Sequence, residues 1–520
     1  MSITGPLHQL LFLLPLYVVV SLLISWLARR HRSSANDYLN ATHALPLWIV
    51  VPAYIAANCG ALEVVGLSAM AAQYGAQAFH FYWIAAVPAM IFLALWMMPV
   101  YRRNGISSVP QYLLVRFGPR MRLINACATA ITVLLLAGIS LYALAQVLNV
   151  ILGISFHAAV LLCAFVVCAY LLIGGIRAAI YNEFFQLAVL IAGLAPLAIR
   201  SAHILAREPD SSRMHLWTTL PFASNQASLD IVGVVFGLGA ILSFSYWCTD
   251  FVLMQRAFTA RTEREACQVP LWAGFGKLTF SYLIVIPGLA AFSLVPTLHG
   301  RYDQALPTLM KHLYSPTMLA IGLTGVVAGL LSNLAANITA FAALFTQDIY
   351  RTTLRPNRTD THYLNIARIA IISAGVIAIA ASQLNFLFSN LMEHIQLIFA
   401  VLGAPFWGTF LLGLFSRRMN ERGAITGFLA GCAVSFTHLL AVARHWIHYG
   451  STMNSNFHAA IYAFTATLLT GYLVSAAGNA RDDAATLHFD NDAIVLPRGT
   501  LAILAAVLLV CGVLLNIIWR

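Results

Sequence analysis

Charged residues are scarce in this sequence. They make up only 9% of its 520 residues, whereas hydrophobic residues make up 60%. Ordinary soluble domains contain about 25% charged residues, so the composition excludes that class of protein. The mean hydropathy of +0.82 instead predicts an all-α polytopic protein that is embedded in a lipid bilayer.

Motifs for covalent chemistry are also missing. The eight cysteines show neither CxxC spacing nor the histidine partners of a zinc or redox site, and we interpret them as core residues. The sequence has no HExxH pair and no GxSxG elbow. These absences argue against an intramembrane enzyme and favour a protein that moves a solute without changing it.

The net charge of +11 does not indicate a partner nucleic acid. Basic residues fall in short clusters between apolar runs, which is the pattern of cytoplasmic loops under the positive-inside rule. Assigning those clusters to the cytoplasm predicts that both termini lie on the outer side of the plasma (inner) membrane. The first apolar run, about residues 7 to 28, is too long for a signal peptide and is expected to remain as a span.

Apolar runs of about 20 residues predict about fourteen transmembrane helices. We expect two groups of five helices with an outer loop between them, flanked by extra helices at both ends. The expected segments are 1–44 (extra helix and cytoplasmic loop), 45–200 (first repeat), 201–228 (outer loop), 229–415 (second repeat) and 416–520 (three peripheral helices).

Polar residues interrupt the first helix of each group. Asn58, Gly60 and Glu63 stand at membrane depth in the first group, and the stretch SFSYWCTD over 243–250 stands there in the second. Polar groups that face hydrocarbon are costly, so each stretch is either a broken helix beside a cavity or a bent helix whose polar groups are satisfied by neighbours. Interruptions at corresponding positions favour an inverted-repeat transporter.

Other polar side chains at membrane depth are candidate binding groups. Lys277 could contact a solute or reach the interface, and Glu183 could bind an ion, carry a proton or pair with a donor. Gln396 can both donate to and accept from a hydroxylated solute. Tyr246 and Trp247 either stack against a sugar or simply pack.

One later helix carries oxygen-bearing side chains within a run of small residues. Ser332 and Asn333 could supply oxygen ligands to Na⁺, a hard cation, opposite the carbonyls of the broken helix. Close packing of small residues between helices is the alternative explanation of this run.

Six short segments occur in order at fitting positions, among them SSVPQYL and YWCTD. Together they resemble the solute:sodium symporter family, which includes the sodium/glucose cotransporters. The segments are Asn58–Leu67, Ser107–Leu113 with Arg116–Gly118, Gly174–Ala178, Tyr246–Asp250 with Gln255–Arg256, Phe345–Tyr350 and Phe415–Glu421.

The resemblance implies a leucine-transporter-like fold with a ten-helix core of two inverted five-helix repeats. It also implies symport of a small organic solute, a sugar or polyol, driven by Na⁺. Glu63 departs from the amide or imidazole that is usual in sugar-transporting members, and His80 stands near a position that is acidic in some of them. The positions implied to bind solute are Asn58, Glu63, His80, Tyr246, Trp247, Lys277 and Gln396.

The same resemblance implies a sodium site made of backbone carbonyls and side-chain oxygens. Asn333 replaces the second hydroxyl of the family, and Glu183 matches a nearby family aspartate with one methylene more. The implied positions are Ala56, Cys59, Gly329, Ser332, Asn333 and Glu183.

Rival functions remain open at this point. A proton-coupled carrier would use Glu63 or Glu183, and a carrier for an amino acid, amine or carboxylate would use the same fold. A membrane solute sensor is an alternative from another class. We expect a monomer or a loose homo-oligomer.

Overall fold

The computed structural model describes residues 4–28, 45–106, 108–207, 213–217, 228–295, 298, 300–416, 418–478 and 499–519, and this part of the chain is nearly all helical. The helices in chain order are α1 (Thr4–Ala28), α2 (Leu47–Asn58), α3 (Ala61–Phe79), α4 (Phe81–Arg103), α5 (Val109–Arg116), α6 (Pro119–Leu152), α7 (Phe156–Leu205), α8 (Gly233–Thr249), α9 (Phe251–Ala257), α10 (Glu263–Leu294), α11 (Ala305–Leu313), α12 (Pro316–Leu354), α13 (Asp360–Leu387), α14 (Leu391–Phe415), α15 (Glu421–Ala443), α16 (Thr452–Ala477) and α17 (Thr500–Ile518).

Length and apolar composition identify the membrane-crossing helices among these. In the described ranges, 10 helices qualify, or up to 12 if each of two bent helix pairs counts as one span. The two shorter apolar helices Pro15–Leu27 and Phe156–Leu172 bring the set to the number that the sequence predicts. The predicted all-helical, multi-pass architecture is therefore confirmed.

The two bent pairs coincide with the two polar interruptions. Helices α2 and α3 are bent by 49° around Cys59 and Gly60, and helices α8 and α9 are bent by 52° around Asp250. Gly60 has φ −114° and ψ −139°, which lies outside helical backbone. The interrupted-helix interpretation of both stretches is therefore correct.

Contacts divide the chain into two compact units. Unit 1 comprises Met1–Ala78, Val133–His215 and Thr279–His394. Inside it, α12 packs along α7, while α1 and α2 pack on both. Glycines allow the close approach of α7 and α12, because a Cβ on Gly193 would lie only 3.1 Å from the Cα of Gly322.

Unit 2 comprises Phe79–Thr132, Leu216–Leu278 and Ile395–Arg520. Its tightest helix pair is α15 and α16. Gly423, Gly427 and Gly431 recur every fourth residue on α15, and a Cβ on any of them would lie within 2.8 Å of an atom of α16. This spacing places one small-residue face of α15 against its neighbour.

Two of the segments that carry the family resemblance meet inside unit 2. The guanidinium of Arg116, at the end of α5, is buried and donates to the carbonyls of Gly413 at 2.8 Å, Ser416 at 2.7 Å and Met419 at 3.0 Å. These carbonyls belong to the last turn of α14 and the residues after it, where a cation is favourable. In these two segments of the family resemblance, Arg116 therefore has a structural role.

Candidate functional site

The break between α2 and α3 frees a backbone oxygen inside unit 1. The N–H of Gly60 donates to the carbonyl of Asn58 at 2.8 Å. In a continuous helix that N–H would bond to the carbonyl of Ala56, four residues earlier. The carbonyl of Ala56 has therefore lost its helical donor, in a segment that is fully buried.

Helix α12 runs directly against this break. A Cβ on Gly329 would lie 3.1 Å from the carbonyl oxygen of Cys59, and a Cβ on Gly60 would lie 2.0 Å from the Cβ of Asn333. The hydroxyl of Ser332 is buried and has no hydrogen-bond partner among the described residues. Five of the six positions expected to bind sodium thus lie on two adjoining elements of one unit.

The sixth position, Glu183, is buried on α7, the helix against which α12 packs. Glu63 is buried on the first turn of α3, and its Oε2 accepts a hydrogen bond from the thiol of Cys59 at 3.1 Å. The roles of both carboxylates in binding an ion or proton remain predictions. Asn58 is likewise buried, as the last residue of α2.

The amide of Asn333 bridges the broken helix. Its Nδ2 donates to the carbonyl of Ala57 at 2.8 Å, and its Oδ1 accepts from Ser140 at 2.8 Å and from Asn337 at 3.3 Å. The sequence does not indicate Ser140, because its partner is 193 residues away. The only signal for Ser140 is a hydroxyl in the middle of the apolar helix α6.

Unit 2 assembles most of its predicted solute-binding residues. The rings of Tyr246 and Trp247 have centroids 5.1 Å apart and meet edge to face. The ammonium of Lys277 lies 5.7 Å from the Trp247 ring centroid, and its side chain is fully buried. Tyr246 also contacts Phe399, which follows the buried Gln396 by one turn on α14.

His80 is held by a structural contact at the junction of α3 and α4. Its Nε2 lies 2.8 Å from the carbonyl of Leu216, and its ring centroid lies 4.4 Å from that of Trp217. Burial lowers the pKa of His80 to about 4, so the ring is neutral and donates from Nε2. A solute contact from His80 remains a prediction, with Nδ1 as the nitrogen that is not engaged by Leu216.

The oxygen atoms at the first break are suitable ligands for a small hard cation. Na⁺ prefers oxygen ligands. The broken helix offers a released carbonyl at Ala56, and the adjoining helix α12 offers a hydroxyl at Ser332 that has no hydrogen-bond partner among the described residues. Released carbonyls of a discontinuous helix are the groups that coordinate ions in secondary transporters. The thiol of Cys59 is directed to Glu63, and its backbone oxygen remains the predicted ligand.

Comparisons with known proteins agree with this geometry. The model of the sodium:solute symporter family matches residues 38–431. The chain is 25% identical to the sodium/glucose cotransporter 1 of Sus scrofa over 82% of this chain and 70% of that protein. It is 25% identical to the sodium/glucose cotransporter of Vibrio parahaemolyticus, over 78% of this chain and 80% of that protein.

Solved structures share the fold. A Na⁺-coupled sialic acid symporter in a substrate-bound outward-open state matches with a TM-score of 0.76 at 18% identity, over 91% of this chain and 98% of that one. The nucleobase-cation-symport transporter Mhp1 matches with a TM-score of 0.52 at 14% identity, over 86% of this chain and 96% of that one. The matched family region covers both broken helices and α12, and the chain belongs to the sodium:solute symporter family of secondary transporters.

Proposed function

We propose that this symporter takes up a sugar or polyol together with Na⁺. The proposal is carried by the break in unit 1, where the carbonyl of Ala56 has lost its helical donor and the adjoining helix α12 presents the unpartnered hydroxyl of Ser332. Sugar as the solute is supported by the names of the relatives and by the aromatic pair, lysine and amide of unit 2.

The proposed sodium ligands are the carbonyls of Ala56, Cys59 and Gly329 and the hydroxyl of Ser332. Oδ1 of Asn333 joins them only after the amide turns, because Nδ2 is the atom that faces Ala57 here. Glu183, on α7, adds a negative charge that favours binding of the cation. All these residues belong to unit 1.

The proposed solute contacts in unit 2 use complementary chemistry. A sugar presents an apolar C–H face that suits the rings of Tyr246 and Trp247, and hydroxyls that accept from Lys277 or pair with the amide of Gln396. Asn58, Glu63 and His80 remain predicted solute contacts. Glu63 would accept sugar hydroxyls, and it would favour an amine if the solute is cationic.

Coupling requires Na⁺ and solute to favour the same conformations. Each ligand shifts the equilibrium between the outward-facing and inward-facing conformations only by the difference in its affinity for the two. When both ligands favour the same conformations, alternating access carries them inward together. Moving an equilibrium from 1:99 to 99:1 takes about 5.5 kcal/mol of differential binding. Both termini are proposed to face outward, and the protein is proposed to function as a monomer or loose homo-oligomer.

Thermal stabilisation of the purified full-length protein tests this proposal. A panel of sugars, polyols, amino acids, amines and carboxylates would be measured with Na⁺ and with K⁺ at two pH values. A ligand of the folded state stabilises it by RT ln(1 + [L]/Kd), so a sugar shift that needs Na⁺ is the expected result. A shift that depends on pH and not on Na⁺ would move the assignment to proton coupling.

Two variants test which residues are responsible for the Na⁺ effect and for the sugar effect. Ser332→Ala should remove most of the Na⁺ effect, whereas Gln396→Ala should weaken the sugar shift and leave the Na⁺ effect intact. Ser435 offers a matched control, because its hydroxyl is also buried and has no partner in the described part of the chain, yet it lies in unit 2. Ser435→Ala should leave both effects unchanged.

A further inference from the structure

We infer that the Asn333 amide, through its hydrogen bonds across the first break, is a latch that Na⁺ must turn aside in order to bind. This inference rests on the proposed sodium site at the first break. It adds Ser140 and Asn337 to that site as positioning residues, which hold the amide with its nitrogen toward the break.

Hydrogen-bond chemistry fixes the orientation of the amide. The carbonyl of Ala57 can only accept, so the atom of Asn333 that lies 2.8 Å from it must be the nitrogen. The backbone carbonyl of Asn333 also only accepts, and it fixes Nδ2 of Asn337 as the donor at 2.9 Å. That same Nδ2 lies 3.3 Å from Oδ1 of Asn333. The Ser140 hydroxyl completes the set: it lies 2.8 Å from Oδ1 of Asn333 and 2.9 Å from the carbonyl of Leu136, so its one hydrogen is shared between the two.

The latch places amide hydrogens where the cation needs oxygen. The amide hydrogens face the carbonyl of Ala57, the residue that follows the proposed ligand Ala56. Their partial positive charge opposes Na⁺ at the neighbouring oxygens. To offer Oδ1 to the ion, the side chain must turn and give up its bond to Ala57 as well as those from Ser140 and Asn337. The break therefore has a hydrogen-bonded arrangement of its own that competes with the ion.

The side chain of Asn333 packs directly on the main chain of the break. A Cβ on Gly60 would lie 2.0 Å from the Cβ and 2.4 Å from the Cγ of Asn333, so the side chain fills the space above that glycine. A serine at 333 is shorter and presents a hydroxyl oxygen that can coordinate Na⁺ without displacing an amide. Asn333→Ser should therefore bind Na⁺ more tightly than the natural chain.

The size of the change follows from the bonds that are lost. One net hydrogen bond contributes about 1 kcal/mol, which corresponds to about fivefold in an equilibrium constant. Asn333→Ser should lower the half-saturating Na⁺ concentration at least about fivefold. Ser140→Ala removes one of the two bonds that hold Oδ1 and should lower it about two- to fivefold. Both changes are opposite in sign to the loss of a ligand.

The experiment is a Na⁺ titration of the full-length protein at constant ionic strength, with K⁺ as the replacement ion. Thermal stabilisation is read without solute, so the result does not depend on knowing the substrate. The matched control is Thr132→Val on the same helix as Ser140, because the Thr132 hydroxyl bonds only to its own helix, at Ala128, 3.0 Å away. Thr132→Val should leave the titration unchanged.

The outcomes test the latch separately from the proposed sodium site. Tighter Na⁺ binding in Asn333→Ser and Ser140→Ala, with Thr132→Val unchanged, supports the latch. Weaker binding in Asn333→Ser would show that the amide is simply a ligand and overturns it. A wild-type Na⁺ response that neither variant alters overturns the latch alone, whereas no response in any protein overturns the sodium site as well. If Asn333→Ser does not fold, the direction of the Ser140→Ala shift decides.

Discussion

The two interrupted helices differ in what closes the break. In unit 1 the carbonyl of Ala57 is satisfied by Asn333, which lies 276 residues away on α12. In unit 2 the break between α8 and α9 is closed by Asp250 itself, whose Oδ1 accepts from the N–H of Leu253 at 2.9 Å. Thr249 adds a bond to the carbonyl of Ser245 on its own helix, at 2.6 Å.

Two aspartates, one in each unit, also differ in how far along the chain their hydrogen-bond partners lie. Asp303 of unit 1 reaches the start of α14 from a distance, because its Oδ1 accepts from the N–H of Leu391, 88 residues along the chain, at 2.9 Å. It adds to the local cap of this helix, in which Oδ1 of Asn390 accepts from the N–H of Glu393 at 2.9 Å. Asp250 caps the helix that begins directly after it. A break closed by a distant side chain can exchange that side chain for a ligand, whereas a locally capped break is complete by itself. We therefore place the ion at the first break only.

The largest expected effect comes from filling the first break. Gly60→Ala puts a Cβ 2.0 Å from that of Asn333, and neither backbone can move easily. Overpacking of this kind costs about 1–3 kcal/mol, and here it also separates α3 from the proposed ligands on α12. We expect Na⁺-dependent uptake into proteoliposomes to fall more than about tenfold, with a lower unfolding temperature.

Gly66→Ala is the control within the same helix, since its nearest neighbour would be at 3.4 Å, an ordinary contact. It should retain most of the uptake. Equal losses in both variants would show that the effect belongs to the helix and not to the contact between Gly60 and Asn333.

The next effect concerns the distant cap and its pH dependence. Burial, with a contribution from the nearby charge of Glu393, raises the pKa of Asp303 to about 7. The folded protein therefore holds this proton more tightly than the unfolded chain, whose aspartates titrate near pH 4. The resulting stability is complete below about pH 4 and is lost as pH rises toward 7, by at most about 1.4 kcal/mol per pH unit.

Asp303→Asn keeps an oxygen for the N–H of Leu391 and removes the titration. The variant should show a flatter dependence of unfolding temperature on pH between 5 and 8 than the natural chain. Asp360→Asn, at the exposed start of α13, is the matched control and should not alter the slope. An unchanged slope in Asp303→Asn would contradict the assignment.

The local cap gives a smaller effect. Asp250→Ala removes the acceptor for Leu253 and should lower the free energy of unfolding by about 1 kcal/mol, within the range for helix N-caps. Asp250→Asn preserves the cap and should be close to the natural chain. The Na⁺ titration should stay unchanged in both variants, and a weaker Na⁺ response would mean that the second break also takes part in ion binding.

The smallest effect is expected from Thr249→Val. The hydroxyl bonds only one turn back on its own helix, so its loss should change the free energy of unfolding by no more than about 0.5 kcal/mol. Chemical or thermal unfolding measures this change. A loss comparable to that of Gly60→Ala would remove the distinction between the two breaks.

Much of this architecture was predictable from sequence, for physical reasons. Long apolar runs determine spans, and polar residues in such runs mark broken helices, so the fold, the two breaks and the family are confirmed. The sequence also placed five of the six sodium candidates on the broken helix and on α12, which the structure brings together. It could not supply the pairing of Asn333 with Ser140 or of Asp303 with Leu391, because such contacts depend on how distant segments pack. Nor could it show that the Asn333 nitrogen faces the break, since that depends on its partners.

Sugar uptake driven by an ion gradient distinguishes Na⁺ coupling from its alternatives. Proteoliposomes that contain the full-length protein would receive a labelled sugar from the stabilising set, with an inward gradient of Na⁺ or of K⁺ at matched pH and voltage. We expect transient accumulation of sugar above its external concentration with Na⁺, absent with K⁺ and strongly reduced in Ser332→Ala. Equal accumulation with either ion, or accumulation that follows a proton gradient alone, would contradict Na⁺ coupling.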